Sequence, residues 1–141
     1  MVKSYLDASV VYSMLVEDDH SANVRKWAAS RPPLAFSLWT ITETSSALSH
    51  SLRTGRLKPH ERHRAEIELE RLLNPDRPTA VIGADEFRQA RDLLAKHSLL
   101  RAPDALHLAI AVRESWHLAT LDKRLAEAAA SQGVPLALDL T

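Results

Sequence analysis

Four acidic residues occupy positions from which side chains commonly do chemistry. Asp7 follows the apolar stretch SYL, Glu43 lies in WTITETSSAL, Asp104 opens DALHLAIAV, and Asp122 follows HLATL. Taken singly, each could close off a helix. Asp7 and Asp122 are preferred N-cap types, and Thr40 to Glu43 fits a capping box. Asp104, directly after Pro103, suits a first turn and its dipole. Taken together they mean something else. Two carboxylates ~4 Å apart repel by about 4 kcal/mol at an effective dielectric near 20. A gathered set must either hold some acids protonated or enclose a cation. Oxygen donors in a chain with no cysteine point to Mg²⁺ or Mn²⁺. Asp104 poses the question most sharply: LRAPDALHLAIAV has almost no polar face, and an unpaired buried carboxylate costs several kcal/mol.

The intervening residues give these acids a common address. Short apolar runs at 4–6, 34–38, 79–83, 117–121 and 134–138 read as strands. They alternate with helical spacing over 8–16, 20–30, 40–53, from Pro59 to Asn74-Pro75, and over 85–97, 104–113 and 123–130. The helix over 20–30 should turn Val24 and Trp27 inward. The fourth should use Ile67, Leu69, Leu72 and Leu73, and the fifth Phe87, Ala90, Leu93 and Leu94. Such alternation predicts a three-layer α/β/α sandwich with a mostly parallel sheet of about five strands, in one domain spanning 1–141. A helix following or feeding a parallel strand starts at the sheet's carboxyl edge. Asp7, Glu43 in a first turn, Asp104 and Asp122 are therefore expected together there, where open α/β sheets bind ligands.

Composition narrows the classes of function. Eighteen Lys and Arg balance eighteen Asp and Glu, so contact with a polyanion requires a local patch. The absence of cysteine excludes disulfides and thiolate metal sites and suits a reducing cytoplasm. Asp7 interrupts the only signal-like start. No apolar run is long enough to span a bilayer, so no membrane partner is expected.

At YLDASVVYSML (5–15), TITETSSAL (40–48), LRAPDALHLAIA (100–111) and LATLDKRLAEAA (118–129) the chain resembles PIN-domain proteins. It is most similar to the VapC-type toxins of bacterial toxin–antitoxin modules. The resemblance implies an Mg²⁺- or Mn²⁺-dependent endoribonuclease with Asp7, Glu43, Asp104 and Asp122 as catalytic and metal-holding acids. Ser9 would support the first acid, and Thr120 stands at a hydroxyl position beside the last. The expected products carry a 5′-phosphate and a 3′-hydroxyl. The expected partners are an RNA substrate, a VapB-type antitoxin inserting an Arg near the acids, and a second copy in a homodimer.

Other residues remain open between two roles. His107, one turn after Asp104, could hydrogen-bond a site acid or be a satisfied core histidine. The stretch LRTGRLKPHERHR (52–64) carries five Arg or Lys against one Glu. It reads as a solvated helix end or as a phosphate-contacting rim. Arg53, Arg56, Arg101 and Lys123 are the RNA contacts it and the acids suggest. His60, Glu61 and His63 read as a solvated face. Trp27, Trp39 and Trp116 suit core packing, although Trp39 could stack on a base. Glu17-Asp18-Asp19 reads as an exposed loop, beside which an antitoxin could pack on Val16 and Leu57. A receiver-type phosphoacceptor needs an acidic pair where Asp7 is followed by Ala8. A haloacid-dehalogenase-type phosphatase needs an Asp where Ser9 stands. A non-catalytic RNA-binding or scaffolding module would carry the same helix caps.

Overall fold

The structure, a computed structural model, describes residues 1–74 and 79–138. In chain order its elements are β1 (Ser4–Leu6), α1 (Ala8–Leu15), α2 (Ser21–Ala29), β2 (Leu34–Ser37), α3 (Leu38–Arg53), α4 (Pro59–Arg71), β3 (Thr79–Ala80), α5 (Ala84–Lys96), α6 (Ala102–Glu114), β4 (His117–Ala119) and α7 (Lys123–Ser131). The strands form one parallel sheet in the order β3-β2-β1-β4. The expected sandwich is therefore present, with four strands among the described residues rather than about five. The run 134–138 contributes a single parallel bridge, Leu118 to Leu136. It is fixed by the Leu118 N–H on the Pro135 carbonyl at 2.9 Å and the Ala137 N–H on the Leu118 carbonyl at 2.8 Å. Pro135 has no N–H to extend the ladder.

Alternation along the strands divides the core in two. Tyr5 and Leu118 join Ala90, Leu93, Leu108 and Leu125 on the face covered by α5, α6 and α7. Leu6 and Ala119 join Val10, Val24, Leu48 and Leu69 on the face covered by α1 to α4. Burial on both faces is why these strands read as continuous apolar runs. Helix α6 buries Ala105, His107, Leu108, Ala109, Ile110 and Ala111, which accounts for its missing polar face.

Three details depart from expectation. β2 ends at Ser37 and α3 starts at once, with Ser37 as N-cap and Thr40 completing the capping box. Glu43 thus lies beyond the first turn and caps nothing. Two apolar helix residues also face outward: Ile67 is 44% exposed and Phe87 54%. Helix α4 instead buries Ala65 and Leu69, with Leu72 packed against the same core. Trp27 is packed at the margin of its core, as expected. Pro75, read as the breaker after α4, lies outside the described residues.

The α1–α2 corner is fastened by Asp18. Its carboxylate accepts the Ser13 hydroxyl at 2.7 Å and the His20 N–H at 2.9 Å, with the Ser21 hydroxyl 3.1 Å away. Burial raises its pKa, but these hydrogen bonds together outweigh burial and hold the carboxyl below the usual range. A lowered carboxyl stabilises the fold above the ordinary Asp value and loses that contribution as pH falls through the lowered one. Asp18→Ala is expected to cost about 1 kcal/mol at neutral pH, the usual worth of a side-chain cap. In thermal melts the gap to wild type should close below about pH 4.

Candidate functional site

Asp7 follows β1 at the carboxyl edge and is only 3% exposed. It is the N-cap of α1, accepting the Val10 N–H at 3.1 Å. The Ser9 hydroxyl donates to its Oδ1 at 2.6 Å, and the Thr120 hydroxyl donates to its Oδ2. Burial pushes the Asp7 carboxyl up, against the pull of these donors and of His107. Thr120 and Ser9 also reach across the edge. Thr120 Oγ1 accepts the Asp122 N–H and Ser9 Oγ accepts the Leu121 N–H, each at 3.0 Å. The ends of β1 and β4 are thereby stitched together through two hydroxyls and one carboxylate. Ser9 supports Asp7 as the sequence suggested, and Thr120 serves Asp7 as well as neighbouring Asp122.

Asp122 caps α7, accepting the Arg124 N–H at 2.8 Å and the Leu125 N–H at 3.2 Å. Asp104 sits in the first turn of α6. It is half-buried rather than enclosed, so the fully buried acid of the site is Asp7. Its carboxyl is nevertheless pushed up to about 6, by burial first and then by the Asp122 carboxylate, with Asp7 and Glu43 adding to the effect. The four acids therefore share one electrostatic neighbourhood while three of them also serve helix starts.

Glu43 is held differently. Its Oε1 meets His107 Nε2, and His107 is 1% exposed. The other ring nitrogen, Nδ1, lies 2.8 Å from the Tyr5 hydroxyl, which is 2.7 Å from Ser37 Oγ. Burial pushes the Tyr5 phenol upward, so it stays protonated. Tyr5 drew no attention in the sequence, yet a lone phenol within an apolar strand needs a hydrogen-bond partner. Trp39 donates its indole N–H to the Pro103 carbonyl at 3.3 Å, which ties α3 to the start of α6. Trp116 stacks on Tyr5. Trp39 and Trp116 thus each have a packing or clamping contact.

A cavity of about 480 Å³ opens beside the acids. Ser9, Glu43 and Asp122 line one part, and His50 and Arg56 line another, over a floor that includes Tyr12, Ala47 and Leu121. Arg56 lines this cavity, whereas Arg53, Arg101 and Lys123 lie exposed outside it. None of the four forms an ion pair with a described residue; the pairs that do form use Arg25, Arg62, Arg71, Arg88 and Arg113. His60, Glu61 and His63 are solvent-facing, with Glu61 accepting the Lys58 N–H at 2.9 Å at the start of α4. Outside this region, Glu86 is a buried acid that the sequence did not flag; it pairs with Arg113 and accepts the Gly83 N–H at 3.0 Å. Nothing in the local spacing of Glu86 and Arg113 signals that contact.

The donor chemistry suits a hard divalent cation: oxygen ligands only, with Asp104 held back from ionising by burial and then by its acidic neighbours. Among the described residues, no three Asp, Glu or His side chains are already gathered closely enough to share one ion. Asp7 is turned onto Ser9 and Thr120, Asp122 onto the α7 N–H groups, and Glu43 onto His107.

The chain's wider likeness agrees with this geometry. The family model of the PIN domain matches residues 4–131. The fold is similar to that of Mycobacterium tuberculosis VapC20, described as a sarcin–ricin-loop-cleaving toxin, at 21% identity and a TM-score of 0.73, covering 89% of this chain and 94% of that one. It is also similar to FitAcB from Neisseria gonorrhoeae, at 20% identity and a TM-score of 0.65, covering 94% and 95%. VapBC2 from Rickettsia felis, bound to a DNA fragment from its promoter, matches at 17% identity and 0.61, covering 89% and 92%. No curated protein matches the sequence.

If repulsion rather than capping dominates at Asp104, Asp104→Asn in chelator-treated protein should melt at the same temperature as wild type at neutral pH, or a few degrees higher. A loss of several degrees would make Asp104 a structural cap.

Proposed function

The chain belongs to the PIN-domain family, and on that premise we propose that it is an Mg²⁺- or Mn²⁺-dependent endoribonuclease acting as the toxin of a toxin–antitoxin pair. The observation that carries the reading is the placement of Asp7, Asp104 and Asp122 at three helix starts on one sheet edge, with Glu43 and Asp122 on the cavity beside it. Asp122, Asp7 and Glu43 add to burial in holding Asp104 protonated, and a cation would relieve that repulsion. Asp7, Asp104 and Asp122, with Glu43, would hold the ion. When bound it supplies a water of lowered pKa and stabilises charge on the phosphate.

The chain's own residues do the remainder. Ser9 and Thr120 fix both oxygens of Asp7, so its orientation does not drift. The Val10 N–H at the α1 N-terminus favours the ionised form of Asp7, against the larger effect of burial. His107 orients Glu43 toward the cavity edge. Arg56, lining the cavity, offers positive charge to a phosphate next to the one being cut, and His50 a hydrogen-bonding ring nitrogen; Arg53, Arg101 and Lys123 extend the positive field at the surface. In-line attack by water at phosphorus leaves a 5′-phosphate and a 3′-hydroxyl. The 2′-hydroxyl is not a nucleophile here, so preference for RNA rests on fit. The likeness to VapC20, described as a sarcin–ricin-loop-cleaving toxin, supports a nucleolytic toxin reading.

Two surfaces support the partners. A groove of about 270 Å³ between the end of α1, α2 and α4 has Leu15, Val16 and Leu57 along it, with Arg25, Arg64 and Glu61 at its sides, and suits an amphipathic antitoxin segment. At the β3 edge, Leu38, Val81 and Phe87 are exposed apolar side chains, which supports self-association as a homodimer. The chain acts as a single domain in the cytoplasm, and among the described residues no helix is long and apolar enough to cross a membrane. The alternative, a non-catalytic RNA-binding or scaffolding module, draws on Asp7 and Asp122 doubling as helix caps.

Purified protein with Mn²⁺ or Mg²⁺ is expected to cut RNA and to stop when the ion is chelated. Asp7→Asn or Asp104→Asn should lower kcat by about a hundredfold or more, read from labelled RNA on gels with end-group analysis. RNA binding without metal-dependent cleavage would favour the scaffolding module. Arg56→Ala should raise KM several-fold with kcat kept, and its effect should shrink at high salt. Expression of the chain alone should arrest growth, and co-expression of its genomic neighbour should relieve the arrest.

A further inference from the structure

Glu43 differs from its three acidic neighbours in having no helix terminus to fix it, because α3 begins five residues earlier at Leu38. A glutamate side chain loses more rotamer freedom on being fixed than an aspartate. Something must hold it if it is to act at a defined point, and the only groups shown to do so are buried behind it. His107 Nε2 faces Glu43 Oε1, His107 Nδ1 faces the Tyr5 hydroxyl at 2.8 Å, and Tyr5 faces Ser37 Oγ at 2.7 Å and Thr40 Oγ1 at 3.2 Å.

The hydrogens along this chain can be assigned from the partners. The Thr40 hydroxyl donates to the Leu6 carbonyl at 2.9 Å, so toward Ser37 and Tyr5 its oxygen only accepts. Ser37 Oγ accepts the Thr40 N–H at 3.1 Å and keeps its own proton to donate. At the far end the Glu43 carboxylate can only accept. His107 must therefore carry a proton on Nε2. In the neutral ring, Nδ1 is then bare, and the Tyr5 hydroxyl is the group that donates to it, with Ser37 donating to the Tyr5 oxygen. From Thr40 and Ser37 through Tyr5 to His107 every polar side-chain atom is satisfied at 0–1% exposure, where an unmet one would cost about 1–3 kcal/mol.

We propose that Tyr5 and His107 are positioning residues that fix the Glu43 carboxylate at the site edge, with Ser37 and Thr40 as the anchor at the other end. This rests on the nuclease reading for its consequence in turnover, but not for its geometry. The anchor is the capping box that starts α3, so the same hydroxyls set where α3 begins and where the carboxylate six residues into it points. His107 comes from α6 and Tyr5 from the central strand, so three elements share in holding one side chain.

Two measurements test it. Nitrogen-15 NMR of imidazoles in metal-free wild type should show His107 with a slowly exchanging Nε2–H, as expected for a donor to a carboxylate in the core. Glu43→Gln should move that signal, and Tyr5→Phe should move the Nδ1 signal. A ring protonated on Nδ1 alone, or signals unmoved by either change, would overturn the proposal whether or not the protein cuts RNA. In turnover, Tyr5→Phe should lower kcat about five- to tenfold with KM unchanged. His107→Gln, whose amide can still donate to Glu43, should keep at least tenfold more activity than His107→Leu at matched melting temperature. Equal loss in the two His107 variants would reduce the residue to packing. Should Tyr5→Phe fail to fold, the His107 pair and the wild-type spectrum still decide. A wild type that cuts no RNA under any metal would remove the nuclease reading and leave the spectroscopic result standing.

Discussion

Three donors converge on the buried carboxylate of Asp7: the Ser9 hydroxyl, the Val10 N–H and the Thr120 hydroxyl. Removing a carboxylate from water costs several kcal/mol even after relaxation, and charge-assisted hydrogen bonds of this kind each return about 1.5–3 kcal/mol. The remainder of the edge follows from that requirement. Thr120 can reach Asp7 only because β1 and β4 are parallel neighbours in register, with Leu6 opposite Ala119. Ser9 can reach it only because α1 begins immediately after the strand. The same two hydroxyls accept the Leu121 and Asp122 N–H groups, so fixing Asp7 also sets the path by which Asp122 arrives at the edge.

Capping and gathering are not alternatives in this fold. A parallel sheet flanked by helices puts several helix N-termini at one edge, and each prefers an acid or a hydroxyl for local reasons. The sum of those local preferences is a cluster of carboxylates that no helix requires. Asp104 shows the surplus directly: it stands in a favourable first turn, yet its neighbours and its burial hold its proton to about pH 6. A stable helix start explains each acid by itself. It does not explain a placement in which burial first, and the neighbouring acids after it, make one acid resist ionisation.

Much of this was legible from residue types and spacing. Strand-then-Asp at 4–7 and 117–122, and Pro-Asp before a buried helix at 103–104, mark positions by local rules that the fold keeps. Glu43 was misplaced because two capping boxes compete in one sequence. Ser37 with Thr40 and Thr40 with Glu43 both fit the spacing, and the choice falls to sheet pairing, which brings Ser37 opposite Ala80 and ends β2 there. The outward face of Ile67 was hidden for a related reason. Helix α4 has many charges, and rotating its apolar stripe by one position leaves the pattern almost as good, so packing against α3 decides. The Glu86–Arg113 pair joins residues 27 apart through tertiary contact alone, which spacing does not encode.

Electrostatics across the site then follow from which charges are free. An acidic edge repels a polyanion, and a chain with no net charge has no long-range field to offset that repulsion. The arginines of α2, α4, α5 and the end of α6 that form ion pairs have much of their field cancelled by their own acids. Arg53, Arg56, Arg101 and Lys123 have no such partner among the described residues. Arg101 and Lys123 lie next to Asp104 and Asp122 at the starts of α6 and α7, whereas Arg53 ends α3, ten residues beyond Glu43, and Arg56 follows that helix. A cation left unpaired keeps its field for an incoming anion, and of these four Arg56 does so from the cavity that Glu43 and Asp122 also line. On the proposed reading that side chain would meet a phosphate next to the acids, where a domain of no net charge supplies no broader attraction.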